Sequence, residues 1–232
     1  MRATIVIPTY NEKKNIKSLV KKILATKVPE KIIIVDDNSP DGTGGEADGL
    51  AEKHSQVKVI HRKGKLGRGS AVIDGFKLAL KDKEIKYFIE MDADFSHDPV
   101  ELKELLKKAE NYDVVVGSRY LPQSKIKNWG MKRRIFSKIA NFYARLVLGV
   151  PISDYSNGYR CYSRSALEAL DLDRIESRGY IVLSEIAFKL YKKGFKFGQI
   201  STIFVNRKRG KSNLNLGEIK EAFFLVLKLR FQ

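Results

Sequence analysis

The 232-residue chain holds one cysteine, three histidines and six prolines. A lone Cys161 excludes an intramolecular disulfide and fits a reducing compartment. Nothing in the sequence resembles a zinc Cys/His cluster, a Ser-His-Asp triad or a catalytic cysteine. No apolar run reaches the roughly 18 residues that span a bilayer. Met1 to Val6 goes straight into strand pattern, so no signal peptide is expected. There is no internal repeat and no low-complexity linker. The spacing G-x-x-x-x-G-K-[ST] is absent, and G-x-G-x-x-G does not follow the first strand, which leaves no P-loop and argues against a dinucleotide site. Acid is also in short supply. Against 44 Lys and Arg there are 27 Asp and Glu, a net charge of +17. Nucleic acid, anionic lipid and phosphorylated substrates all fit such a balance. No nucleic-acid-binding motif accompanies the charge, however, and lysines such as Lys13, Lys14, Lys21 and Lys22 lie on polar faces of predicted helices.

What is present alternates. Ala3–Ile7 is a β-branched strand stopped by Pro8. Ile16, Leu19, Val20, Ile23 and Leu24 then repeat at helical spacing, with Asn11 as the expected cap. Lys31–Val35 and Val57–His61 read as further strands, with a weaker helix over Ala47–Lys53 between them. A basic glycine-rich loop, Lys63 to Gly69, precedes a helix carrying Val72, Phe76, Ala79 and Leu80. Tyr87–Met91 is a short buried strand, a helix carries Leu102, Leu105, Leu106 and Ala109, and Asp113–Gly117 is a fifth strand. This βα alternation predicts a parallel sheet covered by helices on both faces. Right-handed crossovers then bring the loops Pro8–Glu12, Asp36–Thr43, Lys63–Gly69 and Asp92–Asp98 to one rim. Beyond it come a long loop with Trp129 and a basic amphipathic helix in which Arg133, Arg134, Lys138 and Arg145 oppose Ile139, Phe142, Tyr143 and Leu146. Tyr159–Tyr162 is a further strand, Leu183–Tyr191 a helix, and Lys196–Val205 one strand. Asn206–Leu214 is a basic loop, and the terminal segment is rich in Phe and Leu.

Chemistry concentrates at Met91-Asp92-Ala93-Asp94. Two carboxylates one residue apart at the end of a strand repel and raise each other's pKa. Either the turn is solvated and caps the next helix, or a hard divalent cation, Mg²⁺ or Mn²⁺, relieves the repulsion. Ligand crevices of open α/β sheets lie at this end of the strands. Arg207-Lys208-Arg209-Gly210-Lys211-Ser212 is either a solvated basic hairpin or a loop that closes over phosphate. The two basic amphipathic helices either pack on the core or lie at a membrane interface. His97 reads as structural.

The motifs Val6 to Glu12, Val35 to Thr43, Asp92 to Pro99 and Gly117 to Tyr120, in this order, resemble family 2 glycosyltransferases of the GT-A fold. Within that family they resemble the dolichyl-phosphate mannose synthases and related polyprenyl-phosphate enzymes. The resemblance covers nearly the whole chain. It implies a GT-A domain over 1–215, with 1–117 as the nucleotide-sugar half and 118–215 as the acceptor half. A C-terminal amphipathic interfacial helix occupies 216–232. By resemblance, Pro8, Tyr10, Glu12 and Asp37 hold the nucleoside, while Asp92 and Asp94 bind Mg²⁺ or Mn²⁺ at the diphosphate. Ser96 stands where the synthases often carry a glutamine on the metal side. Arg119, Arg133 and Ser137 match positions that handle the acceptor or transferred phosphate. Arg207 matches the arginine of a donor-closing loop, in which Lys211 and Arg209 substitute for a lysine replaced here by Asn213. Asn157-Gly158-Tyr159 stands for a common Ser-Gly-Phe.

The implied reaction is inverting transfer of a hexose, foremost mannose from GDP-mannose, to dolichyl or polyprenyl phosphate. Another nucleotide sugar such as UDP-glucose is the alternative, as is a saccharide hydroxyl acceptor with Asp154 or Glu185 as base. No nucleic acid is expected as a partner. The expected setting is the cytoplasmic face of a membrane, held peripherally or through a small membrane-spanning partner, or else the cytoplasm.

Overall fold

The computed structural model describes residues 2–175, 177, 179, 181–206 and 216–231, with side chains of the last segment from residue 223. In chain order the strands are β1 (Ala3–Thr9), β2 (Lys31–Asp36), β3 (Val57–His61), β4 (Tyr87–Glu90), β5 (Val114–Ser118), β6 (Lys125–Lys127), β7 (Arg160–Ser163), β8 (Phe197–Ser201) and β9 (Ile203–Val205). The helices are α1 (Lys13–Ala25), α2 (Thr43–Lys53), α3 (Arg68–Leu80), α4 (Leu102–Ala109), α5 (Met131–Leu148), α6 (Arg164–Glu168), α7 (Ile181–Lys192) and α8 (Leu216–Arg230).

Seven strands form one sheet in the order β3-β2-β1-β4-β7-β5-β8, and β6 pairs with β9 apart from it. The sheet is parallel except for β7, which runs antiparallel between β4 and β5. Its central strands read as continuous apolar runs because both faces are covered. Alternate residues serve opposite layers. Ile5, Ile7, Ile32 and Ile34 meet α1 and α4 through Ile16, Leu19, Ile23, Leu102 and Leu105. Val6, Ile33 and Val35 meet α3, where Val72 and Phe76 lie, in the core that also holds Ile186 of α7 and Val226 of α8. At Gly75 helix α3 comes close to β1. A β-carbon there would stand 2.3 Å from Val6 Cγ1, so only glycine lets α3 sit this near β1.

Three local expectations are corrected. Pro8 does not stop β1. The strand continues to Thr9, with Pro8 opposite Val35. On the other side, pairing with β4 ends at Val6 opposite Glu90. The missing proline N–H is therefore not needed there. Asn11 does not cap α1. It sits at φ +60°, a conformation asparagine tolerates, and its N–H donates to Ser39 Oγ at 3.0 Å. Finally, Lys196–Val205 is not one strand. It breaks at Thr202, whose hydroxyl donates to Glu101, and its second half pairs with β6 inside what reads as a long loop.

Candidate active site

The loops that follow β1, β2, β3 and β4 lie on one rim and lock each other in place. Asn11 N–H reaches Ser39, and Glu12 N–H donates to Thr43 Oγ1 at 2.9 Å. Asp36 accepts from Thr9 Oγ1 at 3.1 Å and from Ser39 N–H at 3.0 Å. Asp37 is buried. Its carboxylate takes Arg62 Nη1 at 2.8 Å, Leu66 N–H at 2.9 Å and Gly67 N–H at 2.7 Å. It therefore pins the glycine-rich loop. Lys65, on that loop, holds its ammonium 4.2 Å from the centre of the Tyr10 ring.

Arg68 opens α3 directly behind this loop. Its Nε donates to Asp92 Oδ1 at 2.7 Å and its Nη1 to Glu90 Oε2 at 3.3 Å. Glu90 is fully buried, and Tyr162 Oη donates to its other oxygen at 2.8 Å. Burial raises the Glu90 carboxyl above its ordinary pKa, although Arg68 and Arg160 pull it down. Burial also works against ionisation of Asp92. There the charge of Arg68 and the neighbouring His97 prevail, and the carboxyl is held far below the usual range. A β-carbon on Gly158 would fall 1.8 Å from Arg68 Nη2. The missing side chain at 158 is thus what gives Arg68 its seat, and only glycine accommodates it.

Asp94 follows at half-burial and accepts Ser96 N–H at 3.0 Å. Ser96 Oγ is buried without a hydrogen-bond partner among the described residues. His97 is buried, stacks on Tyr159 with 4.9 Å between ring centres, and brings Nε2 to 3.8 Å from Asp92 Oδ2.

In the second half of the chain, Arg119 is buried against Asp154. Its Nε and Nη2 donate to the two carboxylate oxygens, each at 2.7 Å, and its backbone N–H adds a third bond at 3.1 Å. Arg133 of α5 donates to Asn206 Oδ1 at 3.1 Å. One turn along, Ser137 Oγ accepts from Tyr120 Oη at 2.6 Å. Phe204 joins the two groups. Its ring lies 5.5 Å from His97 and 5.4 Å from Trp129, and the Arg119 guanidinium is 5.2 Å from it. Tyr10, Glu12, Asp37, Asp92, Asp94 and Ser96 thus gather on the rim, with Pro8 buried below. Arg119, Arg133 and Ser137 form the adjoining group. Arg207 and Lys211 lie outside the described residues, as do Arg209 and Asn213.

The family model described as glycosyl transferase family 2 matches residues 4–171. The chain belongs to that family. Among the relatives of this glycosyltransferase, a polyprenol monophosphomannose synthase of Mycolicibacterium smegmatis is 39% identical over 227 residues, covering 97% of this chain and 85% of its own. An undecaprenyl-phosphate mannosyltransferase of Micrococcus luteus is 39% identical over 223 residues, covering 96% and 91%. A glucosyl-3-phosphoglycerate synthase from Mycobacterium tuberculosis, solved with Mn²⁺, UDP and glucosyl-3-phosphoglycerate, shares the fold. Its TM-score is 0.67 at 20% identity, covering 98% of this chain and 78% of that one. The fold is therefore GT-A, as the motifs imply.

The glycosyltransferase offers a hard, oxygen-only donor set at Asp92 and Asp94. No group of three or more His, Cys, Asp or Glu that could hold a metal occurs among the described residues. Mg²⁺-type binding takes one or two carboxylates, with water and substrate phosphate completing the shell. The unpartnered Ser96 hydroxyl adds a further oxygen beside the pair.

Sequence reasoning gave no role to Arg68, Glu90 or Gly158. The signal for Arg68 was the basic glycine loop itself. Glu90 was visible only as an acidic residue inside an apolar strand, a pattern that demands a buried partner. Asp154 and Glu185, nominated as bases, are both engaged. Asp154 pairs with Arg119, and Glu185 takes Ser177 N–H at 2.8 Å and Lys189 Nζ at 2.6 Å.

Proposed function

We propose that this glycosyltransferase moves mannose from a nucleotide sugar, GDP-mannose foremost, to a polyprenyl or dolichyl monophosphate at a membrane surface, with inversion at the anomeric carbon. One observation carries the choice of acceptor. Arg133 and Ser137 sit on the same helix as an outward apolar face. Met131, Ile135, Ile139, Phe142 and Leu146 of α5 are all exposed, Phe142 at 69% and Leu146 at 74%. The helix packs inward through small or polar residues, Asn141 and Ala144, and through Leu148. A phosphate-binding arginine beside a greasy face suits a ligand with an anionic head and a hydrocarbon tail. The names of the two bacterial relatives support the same acceptor and sugar.

In this reading Tyr10, Glu12 and the loop pinned by Asp37 receive the nucleoside. Asp92 and Asp94, with Ser96, are the groups that would hold Mg²⁺ or Mn²⁺. When bound, the cation supplies positive charge at the leaving diphosphate. Arg68 keeps Asp92 ionised and oriented for that role. Arg133, with Arg119 behind it and Arg207 of the basic loop, holds acceptor and donor anions together against their repulsion. The acceptor oxygen attacks the anomeric carbon as the sugar–phosphate bond breaks. A phosphate is already ionised near neutral pH, so no general base is required. This agrees with the engagement of Asp154 and Glu185, which leaves neither poised to deprotonate a hydroxyl.

Incubation with labelled GDP-mannose, Mg²⁺ or Mn²⁺ and polyprenyl phosphate in detergent tests the reaction, with UDP-glucose in parallel. Labelled lipid from GDP-mannose is expected. Label only from UDP-glucose reassigns the sugar, and no lipid product from either donor overturns the acceptor. Among the described residues no helix is long and apolar enough to cross a membrane, so binding to the surface rests on α5 and on the exposed Phe224 and Phe231 of the C-terminal segment. Burying one such side chain is worth about 1.5–3 kcal/mol. Phe142→Asp with Leu146→Asp is therefore expected to cut sedimentation with anionic phospholipid vesicles by at least about 10-fold. Equal sedimentation of the double variant and the parent would remove α5 as the anchor.

A further inference from the structure

The two acceptor-side arginines meet on the chain's single tryptophan. Trp129 follows β6 and is buried. The guanidinium carbon of Arg133 lies 4.2 Å from its ring centre and that of Arg119 lies 5.1 Å away. Phe204 meets the indole edge-to-face at 70°. Cation–π contact of this kind holds a guanidinium over the ring and fixes its position. The Trp129 Nε1–H is itself buried and has no acceptor among the described residues. A buried donor left unpaired costs about 1–3 kcal/mol. Persistent cases call for a ligand, ion or water that completes them. Packing alone does not account for this residue, since phenylalanine would fill the space without stranding a donor.

We propose that Trp129 is a binding and positioning residue for the acceptor phosphate. Its face sets the spacing of Arg119 and Arg133, and its Nε1–H supplies a further donor to an oxygen of a phosphate monoester. The inference rests on the acceptor reading above and names the residue that completes its anion pocket. A phosphate monoester suits this donor set because it presents several equivalent oxygens to converging N–H groups. Trp129 lies two residues before α5, whose exposed apolar face offers the ester chain a path.

Because Trp129 is the only tryptophan, its fluorescence reports the pocket directly in the unmodified protein. Titration with geranylgeranyl phosphate in detergent is expected to change the emission saturably. Geranylgeraniol at the same concentrations is expected to leave it unchanged. Trp129→Phe keeps an aromatic face and loses the N–H. It is expected to raise the KM for the prenyl phosphate about 10-fold, with the KM for the sugar donor unaltered. Trp129→Leu loses the face as well and is expected to lower kcat in addition. Prenyl-phosphate turnover with unchanged emission and an unchanged acceptor KM in Trp129→Phe overturns the proposal. An equal rise in donor and acceptor KM overturns it too, since that marks a merely structural residue. Inorganic phosphate and pyrophosphate separate the two readings. Emission that responds to them while no prenyl phosphate is glycosylated upholds Trp129 as an anion donor and sinks the acceptor assignment instead.

Discussion

Asp94→Asn is expected to lower kcat at saturating donor by on the order of 10²-fold or more, the typical loss when a group stabilising transition-state charge is removed. Its fold should be untouched. Asp94 is half-buried at the rim, and asparagine keeps an oxygen for the Ser96 N–H. Asp92→Asn is the instructive companion. It removes the same chemistry but also takes from Arg68 the carboxylate it holds at 2.7 Å, so that guanidinium loses a charge partner. Asp92→Asn should therefore lose turnover and thermal stability together, whereas Asp94→Asn loses turnover only. Steady-state kinetics over a Mn²⁺ titration, with melting curves of both variants, separate the cases. Full metal-dependent turnover in Asp94→Asn would contradict its assignment.

Asp154→Ala is expected to cost about 3–5 kcal/mol of folding stability, the usual range for removing one partner of a buried ion pair. The side chain of Asp154 is wholly inaccessible and that of Arg119 nearly so. Burial raises the Asp154 carboxyl, but the Arg119 charge and its hydrogen bonds outweigh this, and the folded value is lowered from 3.8. A folded pKa below the unfolded one means stability that is fully present above pH 3.8 and lost as pH falls through the lower folded value. The acid limb of the urea-denaturation profile should accordingly flatten in the variant. Replacing both partners, as Arg119→Met with Asp154→Leu, should restore much of the lost stability while leaving acceptor turnover depressed. A single Asp154→Ala variant with an unchanged urea midpoint would show that the pair contributes nothing net.

The rim of the cleft was legible in the sequence because its ingredients are local. Apolar runs mark the strands, helical spacing marks the segments between them, and handedness puts the following loops on one side. Asp92, Asp94 and Glu12 are therefore found by reading along the chain. Arg68 with Glu90, and Arg119 with Asp154, are not. Each is a pair 22 or 35 residues apart, and their partnership is fixed by strand order rather than by spacing. The insertion of β7 between β4 and β5 was equally hidden, since Arg160–Ser163 gives no sign of direction or neighbour. Pro8 misled because its usual penalty depends on whether a neighbouring strand needs the N–H, and that is a tertiary fact. Trp129 carried no signal at all in the sequence beyond its presence in a loop.

The placement of β7 also governs how the chain can be assembled as it leaves the ribosome. Strands β1, β2, β3 and β4 pair with one another as soon as β4 has been made. β5 does not. Among the described residues it bonds to β7 and β8, which arrive more than forty residues later. Domains form from the N-terminus during synthesis at about 5–20 residues per second. For several seconds the nascent chain therefore carries a run of valines, Val114 to Val116, with no strand to join, beside an unsealed margin of β4. Both are sites for illicit pairing with other chains. A translational pause before residue 160 would prolong that hazard, whereas one after β8 would not.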